Sequence, residues 1–313
     1  MKKSILFVLL NLLLISCGEV NSSNSVSSND TSSSSYTSSS DSSNQTSSGE
    51  TTSSSKESIT SSEVEISHSS LDDNIEAYYK SINKDAIGAA LMNSLHKLIK
   101  NHSVTSYKNL NNCYAKTDVK PGTNIIWDMY SNEEYQANKN TCGNYKQEGD
   151  CWNKEHSIPA SWFNDASPMY SDLFQVYPTD GYVNNRRSNY PFGEVQTAKY
   201  TSKNGSKLGN SVDGIGNVFE PIDEYKGDFA RTYFYFATCY MDKSVNNANG
   251  KYCFTSGTSY PKLTDYSIKL FKKWAELDPV SSKEINRNEA VYKIQGNRNP
   301  FIDYPEFSKQ IWG

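Results

Sequence analysis

An abrupt change of composition near residue 70 limits most strongly what this chain can fold into. Over residues 21–70 half the positions are Ser, and most of the others are Asn, Thr, Asp or Glu. A stretch of that kind buries too little apolar surface to offset the entropy of ordering it, and it reads as a flexible, solvated tether. The remainder carries most of the 22 Tyr and 12 Phe and all five Trp, a supply of large side chains that suits one folded domain over residues 71–313. Charge divides at the same place. Residues 1–75 hold three Lys and nine acidic residues, which leaves 28 basic against 26 acidic for the rest of a chain with a formal net charge of −4. The folded part is therefore near neutral to slightly basic, which permits a polyanionic substrate without demanding one. No apolar run reaches the roughly 20 residues that a spanning helix needs, so a polytopic membrane protein is excluded.

The N-terminus has the grammar of an export signal. Lys2 and Lys3 precede the apolar runs Ile5–Leu10 and Leu12–Ile15, which close on Leu14-Ile15-Ser16-Cys17-Gly18. A charged start, a short apolar core and a small-residue end describe a signal peptide. The closing residues resemble the bacterial lipobox. That resemblance implies cleavage before Cys17, a lipid on its thiol and attachment to a membrane, with residues 1–16 as signal and 17–70 as tether. The alternative is a plain signal peptide with an incidental Cys. Either way the expected location is the extracellular face of the cell membrane or the medium.

Export permits disulfides. Cys113, Cys142, Cys151, Cys239 and Cys253 remain after Cys17, and an odd number leaves at least one thiol unpaired within the chain. Cys142 with Cys151 and Cys239 with Cys253 are the pairs that lie near one another in sequence, but sequence does not fix connectivity. No C-x-x-C spacing occurs, which speaks against a zinc ribbon or a thioredoxin-type site.

Periodicity predicts an amphipathic helix from Lys84 to Lys100, with Ile87, Leu91, Leu95, Leu98 and Ile99 recurring at helical spacing. Asn124–Tyr130 reads as a strand and residues 131–150 as a polar loop. A short extended segment, Cys151–Pro159, is followed by a strand over Asp172–Tyr177 ended by Pro178, and by a helix over Gly181–Asn189. Strand, strand and helix within some forty residues form a compact unit. Residues 196–218 read as loop with weak strands. Helices are expected over Asp228–Tyr240, with an aromatic face, and over 262–276 and 282–295. Mixed helices and short strands without a repeat give an α+β class.

Histidine is scarce, and that narrows the chemistry. Of His68, His96, His102 and His156, the first falls in the tether, His96 reads as a surface residue of the first helix and His102 as a contact at that helix's C-terminus. His156 stands directly after Glu155. On a strand the two side chains would face opposite ways, so the pair alone is a weak signal. The surrounding run is a strong one: Cys-Trp-Asn-Lys-Glu-His-Ser-Ile-Pro from Cys151, then Tyr-Pro-Thr-Asp-Gly-Tyr-Val-Asn-Asn-Arg-Arg-Ser-Asn from Tyr177. Together with Lys226-Gly-Asp-Phe-Ala-Arg-Thr-Tyr and Lys293-Ile-Gln-Gly-Asn-Arg-Asn-Pro-Phe, it resembles the bacterial endonuclease I family, secreted non-specific nucleases built on a ββα-metal (His-Me) finger. The likeness spans roughly residues 85–305 in the family's order.

The resemblance implies a role for each matching residue. His156 corresponds to the general base that deprotonates the attacking water, and Glu155 and Asn184 to the metal ligands. Phosphodiester hydrolysis needs an activated water and neutralisation of the charge that grows on the phosphate and the leaving oxygen. A hard cation with oxygen ligands suits that need, with Mg²⁺ expected and Mn²⁺ or Ca²⁺ as alternatives. The chain departs from the family in one respect: the connection Phe163–Ser171 is short and lacks the Arg that holds phosphate in several members. Arg187 and Arg186 are the natural substitutes, although Arg187 reads equally as a pin for its helix. Arg231 is either structural or a phosphate contact. Asp172 and Asp180 read as caps before second-line orienters, the Tyr and Trp as core, and Lys199, Lys203 and Lys207 as solvated. The Lys293–Phe301 signature is expected to close the domain.

The expected activity is endonucleolytic cleavage of DNA, and of RNA as a further substrate, with little sequence preference and as a monomer with no protein partner. A non-catalytic nucleic-acid-binding lipoprotein is the rival, and a phosphodiesterase acting on small nucleotides a second.

Overall fold

The computed structural model describes residues 71–313. The signal peptide, Cys17, the tether and His68 lie outside the described residues. The fold is α+β, and its middle is an aromatic helix, α4 (Lys226–Cys239), every residue of which is buried. Phe229, Tyr233 and Phe236 give the aromatic face that the sequence predicts, but Phe234, Tyr235 and Cys239 are buried on the remaining sides too. Its charged residues Lys226, Asp228 and Arg231 are each ion-paired, which lets the whole helix lie inside. Of the other helices, α1 (Gly88–Ile99), α5 (Asp265–Leu277) and α7 (Pro300–Asp303) pack on it, α6 (Ser282–Gln295) and α8 (Phe307–Trp312) reach it through Glu284 and Trp312, and α2 (Leu110–Thr117) packs on α6. Helix α1 lies within the expected span. His96, however, is buried, with Nδ1 2.9 Å from the Thr238 carbonyl, because this face of α1 packs on α4.

Helix α6 starts with a full capping box, Ser281 Oγ accepting from the Glu284 amide and Glu284 from the Ser281 amide. It stops at Gly296, whose φ of +78° suits a residue without Cβ. Glu284 also receives both Nε and Nη2 of Arg231, at 2.6 and 2.8 Å, inside the protein. Arg231 is thus structural. Beyond Gly296, Asn297, Arg298 and Asn299 are buried and tie the C-terminal turns to α4 and α6, so the Lys293–Phe301 signature does close the domain.

The strand–strand–helix unit that the sequence predicts is a two-stranded antiparallel sheet and a helix: β1 (Trp152–His156), β2 (Val176–Asp180) and α3 (Gly181–Arg187). Trp152 faces Asp180 and Glu155 faces Tyr177. Strand β2 begins four residues later than the sequence predicts, because Asp172 makes a turn: its side chain accepts from the Phe174 amide, and its carbonyl from the amides of Gln175 and Val176. Pro178 sits within β2 and does not end it, which a strand with a free edge tolerates. Asp180 is the N-cap of α3, its Oδ1 accepting from the Val183 amide, as a cap reading requires. At Gly181 a Cβ would come within 2.9 Å of the Tyr145 ring, so a larger residue there would push aside the loop side chain that packs against the start of α3.

Residues 124–130 form no strand. Ile125 and Ile126 make only isolated bridges, to Gln136 and Val119, and Asp128 turns the chain by accepting from the Tyr130 and Asp180 amides. The polar loop that follows is clipped to β1 by a Cys142–Cys151 disulfide. Cys239 and Cys253 do not pair; both, with Cys113, are buried thiols. Residues 195–220 hold more order than expected, a three-stranded antiparallel sheet of β3 (Val195–Thr201), β4 (Lys207–Ser211) and β5 (Asn217–Glu220). Its alternation is obscured by polar residues on the largely exposed β3. Lys199 bonds Asn217 and Lys203 pairs with Glu133 at the surface.

Candidate active site

Successive side chains of strand β1 point to opposite faces. Glu155 points inward and is 1% exposed, while Lys154 and His156 on the other face are partly exposed. Glu155 Oε1 accepts two hydrogen bonds, from Tyr130 Oη and from Arg187 Nη1, both at 2.8 Å. Among the described residues Oε2 receives none. Burial pushes the Glu155 carboxyl up to about 7, against the opposing pull of Arg187 and Tyr130. A bound cation would pull it back down.

Arg187 is 1% exposed. Besides Glu155 its guanidinium donates to the His156 carbonyl at 2.7 Å and the Ser157 carbonyl at 2.5 Å, and it lies 4.7 Å over the Phe192 ring. These are the contacts of a pin between α3 and the end of β1, and they turn the guanidinium away from solvent. Arg186, by contrast, is exposed, over the rings of Tyr200 and Tyr182.

Asn184 stands on α3 beside the strand. Its Nδ2 donates to Asn153 Oδ1 at 2.7 Å and to the Lys154 carbonyl at 3.2 Å. Since a carbonyl can only accept, this fixes the amide orientation and leaves Asn184 Oδ1 as a free acceptor. Glu155 Oε2 and Asn184 Oδ1 are then two unused oxygens, on a strand and on the helix bonded to that strand. Oxygen donors suit a hard divalent cation, so the residues present fit such an ion.

His156 ends β1. Its Nε2 lies 3.0 Å from the Tyr170 carbonyl, which makes Nε2 the protonated nitrogen and Nδ1 the one with a lone pair. The imidazole stacks on Tyr170 and Tyr107, with centroids at 5.0 and 5.6 Å. Burial brings its pKa down to about 4, opposed mainly by the Tyr170 carbonyl. At neutral pH the ring is an uncharged base. Lys154 Nζ sits 4.7 Å over the Tyr107 ring, and burial depresses its pKa as well.

A family model for endonuclease I matches residues 87–306. The chain belongs to the endonuclease I family. It is 36% identical over 247 residues to the extracellular ribonuclease of Bacillus amyloliquefaciens, covering 76% of this chain and 78% of that one. The extracellular ribonuclease of Bacillus subtilis (strain 168) is 34% identical over 249 residues, with the same coverage. An extracellular deoxyribonuclease of Aeromonas hydrophila is 26% identical over 153 residues, 49% of this chain and 58% of that one. This endonuclease I relative is a nucleic-acid-hydrolysing enzyme of a divalent-metal-dependent family, and the non-catalytic reading is not favoured.

The sequence did not single out Tyr130, Tyr107, Tyr170 or Lys154. Nothing in a chain with 22 Tyr marks these three; only Lys154, inside the motif, carried a positional signal. His102 is not a helix-end contact: its Nε2 lies 2.9 Å from Tyr240 Oη and 3.8 Å from Asp172. His102, Asp172 and Cys239 come together closely enough to suggest a metal. Asp172 Oδ2, however, already accepts from Tyr235 and Tyr240, and Oδ1 from the Phe174 amide and Gln295. Burial holds the Cys239 thiol far above its usual pKa. That cluster is a hydrogen-bonded core junction whose acceptors are already in use.

Proposed function

We propose that the endonuclease I domain hydrolyses RNA as well as DNA, with His156 as general base and Glu155 and Asn184 as ligands of Mg²⁺. The observation that carries the base assignment is the Tyr170 carbonyl on Nε2, which supports a neutral ring with a free lone pair at Nδ1. His156 Nδ1 takes the proton from the attacking water, and the Tyr170 carbonyl steadies the imidazolium that forms. Tyr130 and Arg187 hold Glu155, and the Asn153 and Lys154 acceptors hold Asn184, each with one oxygen left for the cation. When bound, the cation supplies neutralisation of the charge on the phosphate and the leaving oxygen. Arg187 acts through Glu155 as a positioning residue.

RNA enters the proposal because the Bacillus relatives are named ribonucleases. DNA enters through the Aeromonas one. Parallel time courses on supercoiled plasmid and on single-stranded RNA, with Mg²⁺, Mn²⁺, Ca²⁺ or EDTA, test both. Metal-dependent loss of both substrates is expected; loss of only one removes the other from the proposal. Glu155→Ala and Asn184→Ala should lose activity that excess Mg²⁺ partly restores, and failure to restore it at any concentration counts against their being ligands. We further propose export of a monomer, its lipid carried by Cys17. Labelled palmitate incorporated by the wild type and not by Cys17→Ser is the expected result; equal labelling would sink the anchor.

A further inference from the structure

The family's phosphate-holding Arg has no counterpart between Phe163 and Ser171, so the site described above lacks an assigned group to grip the substrate's charge. Of the cations that the sequence singles out, four are engaged elsewhere. Arg187 is buried on Glu155 and two carbonyls, Arg231 is buried on Glu284, and Lys203 pairs with Glu133. Arg186 is held outward over two tyrosines.

Lys154 is different in three respects. It lies two residues before His156 on β1, so both side chains leave the strand on one face. It is partly buried, yet among the described residues no carboxylate lies within ion-pair distance of it; its Nζ rests over the Tyr107 ring at 4.7 Å. That ring also stacks on the His156 imidazole, nearly parallel at 14°, so one tyrosine holds the ammonium and the base together. The residues flanking Tyr107, Ser106 and Lys108, line an open polar groove of about 600 Å³ with Asn109, Asn111, Asn112 and Asn138. An amide-lined groove with a Lys and no acidic residue suits a polyanionic backbone.

We propose that Lys154 is the phosphate-gripping residue of this enzyme, its ammonium contacting the non-bridging oxygens of the phosphate on which His156 acts. A partly desolvated ammonium with no carboxylate partner is costly in the free enzyme, and an arriving phosphate supplies the missing charge where the local dielectric makes it count. Tyr107 keeps that ammonium beside the base in the free enzyme. The proposal rests on the nuclease activity and on His156 as its base. Its competitor is a packing role, in which the aliphatic stem simply covers Tyr107.

Steady-state cleavage of a single-stranded oligonucleotide by the full chain separates the two, with Lys154→Met, Lys154→Gln and Lys154→Arg beside the wild type and His156→Ala. Met keeps the stem and loses the charge; Arg keeps the charge. The expected result is a fall in kcat/KM of roughly 10- to 100-fold for Met and Gln, the order that follows from losing one hydrogen bond to a charged group. Arg should stay within roughly threefold. The log–log salt dependence should become shallower by about one phosphate contact, a slope change of about 0.7 for a single strand. Wild-type kcat/KM and salt slope in a folded Lys154→Met or Lys154→Gln protein would overturn the proposal, as would a Lys154→Arg protein as impaired as Met. A wild type that cuts nothing would instead bring down the nuclease reading beneath it.

Discussion

The Tyr170 carbonyl can only accept a hydrogen bond, so it keeps a proton on His156 Nε2, and burial keeps a second proton off the ring. This has a signed consequence for stability. With the folded pKa lowered to about 4 against an ordinary value near 6.5, the unfolded chain takes up a proton first as pH falls. Stability from this group is therefore complete above about pH 6.5 and is lost progressively towards pH 4. The melting temperature of the wild type should drop more steeply across that window than that of His156→Gln; equal slopes would show that the ring is not held neutral. His156 itself was legible, because the chain has only four His and one of them stands in a run of family-like residues. The rings around it were not. Tyr107 and Tyr170 reach the imidazole through tertiary packing, which leaves no local period to read.

Elements position these side chains through buried ion pairs. Arg231 on α4 meets Glu284, which also closes the capping box of α6, so one carboxylate fixes the start of one helix against another. Removing the guanidinium strands a buried charge, at a cost of about 3–5 kcal/mol. Arg231→Ala should lower stability by that order in denaturant melts while the folded protein keeps its turnover. A folded, stable Arg231→Ala enzyme with a raised KM would instead make Arg231 a phosphate contact. At this scale the helices were readable from their period; α6 also carries a capping box and a Gly stop, whereas α1 has neither and starts four residues later than expected. Strand β2 was misplaced because the apolar run Leu173-Phe174 looks like strand, whereas Asp172 uses its side chain to turn the chain there. The stretch at 124–130 failed for a similar reason: Ile125, Ile126 and Trp127 have strand composition, but Asp128 bends the chain before a ladder forms.

For the molecule as a whole, the polar loop before β1 is held to the active-site strand by the Cys142–Cys151 bond, which closes a span of nine residues. A loop of that length is worth about 2–3 kcal/mol through the unfolded state, or roughly 5–10 °C in a domain of this size. Mild reduction should lower the melting temperature by that order. Cys113, Cys239 and Cys253 are buried, so residues 71–313 should expose no reactive thiol when oxidised and native, and three after unfolding. Five in the oxidised unfolded domain would mean that the bond does not form. Local spacing put the Cys142–Cys151 pair within reach of a sequence reading. It also made Cys239 and Cys253 look equivalent, because spacing cannot show that the core keeps both as separate thiols.

Everything proposed for the site depends on His156 performing the proton transfer in a metal-dependent cut. Supercoiled-plasmid cleavage by the full chain, with Mg²⁺, with EDTA and with His156→Ala, tests it most directly. Nicking and then linearisation are expected, stopped by EDTA and absent from folded, metal-binding His156→Ala. Cleavage by His156→Ala at the wild-type rate would contradict it.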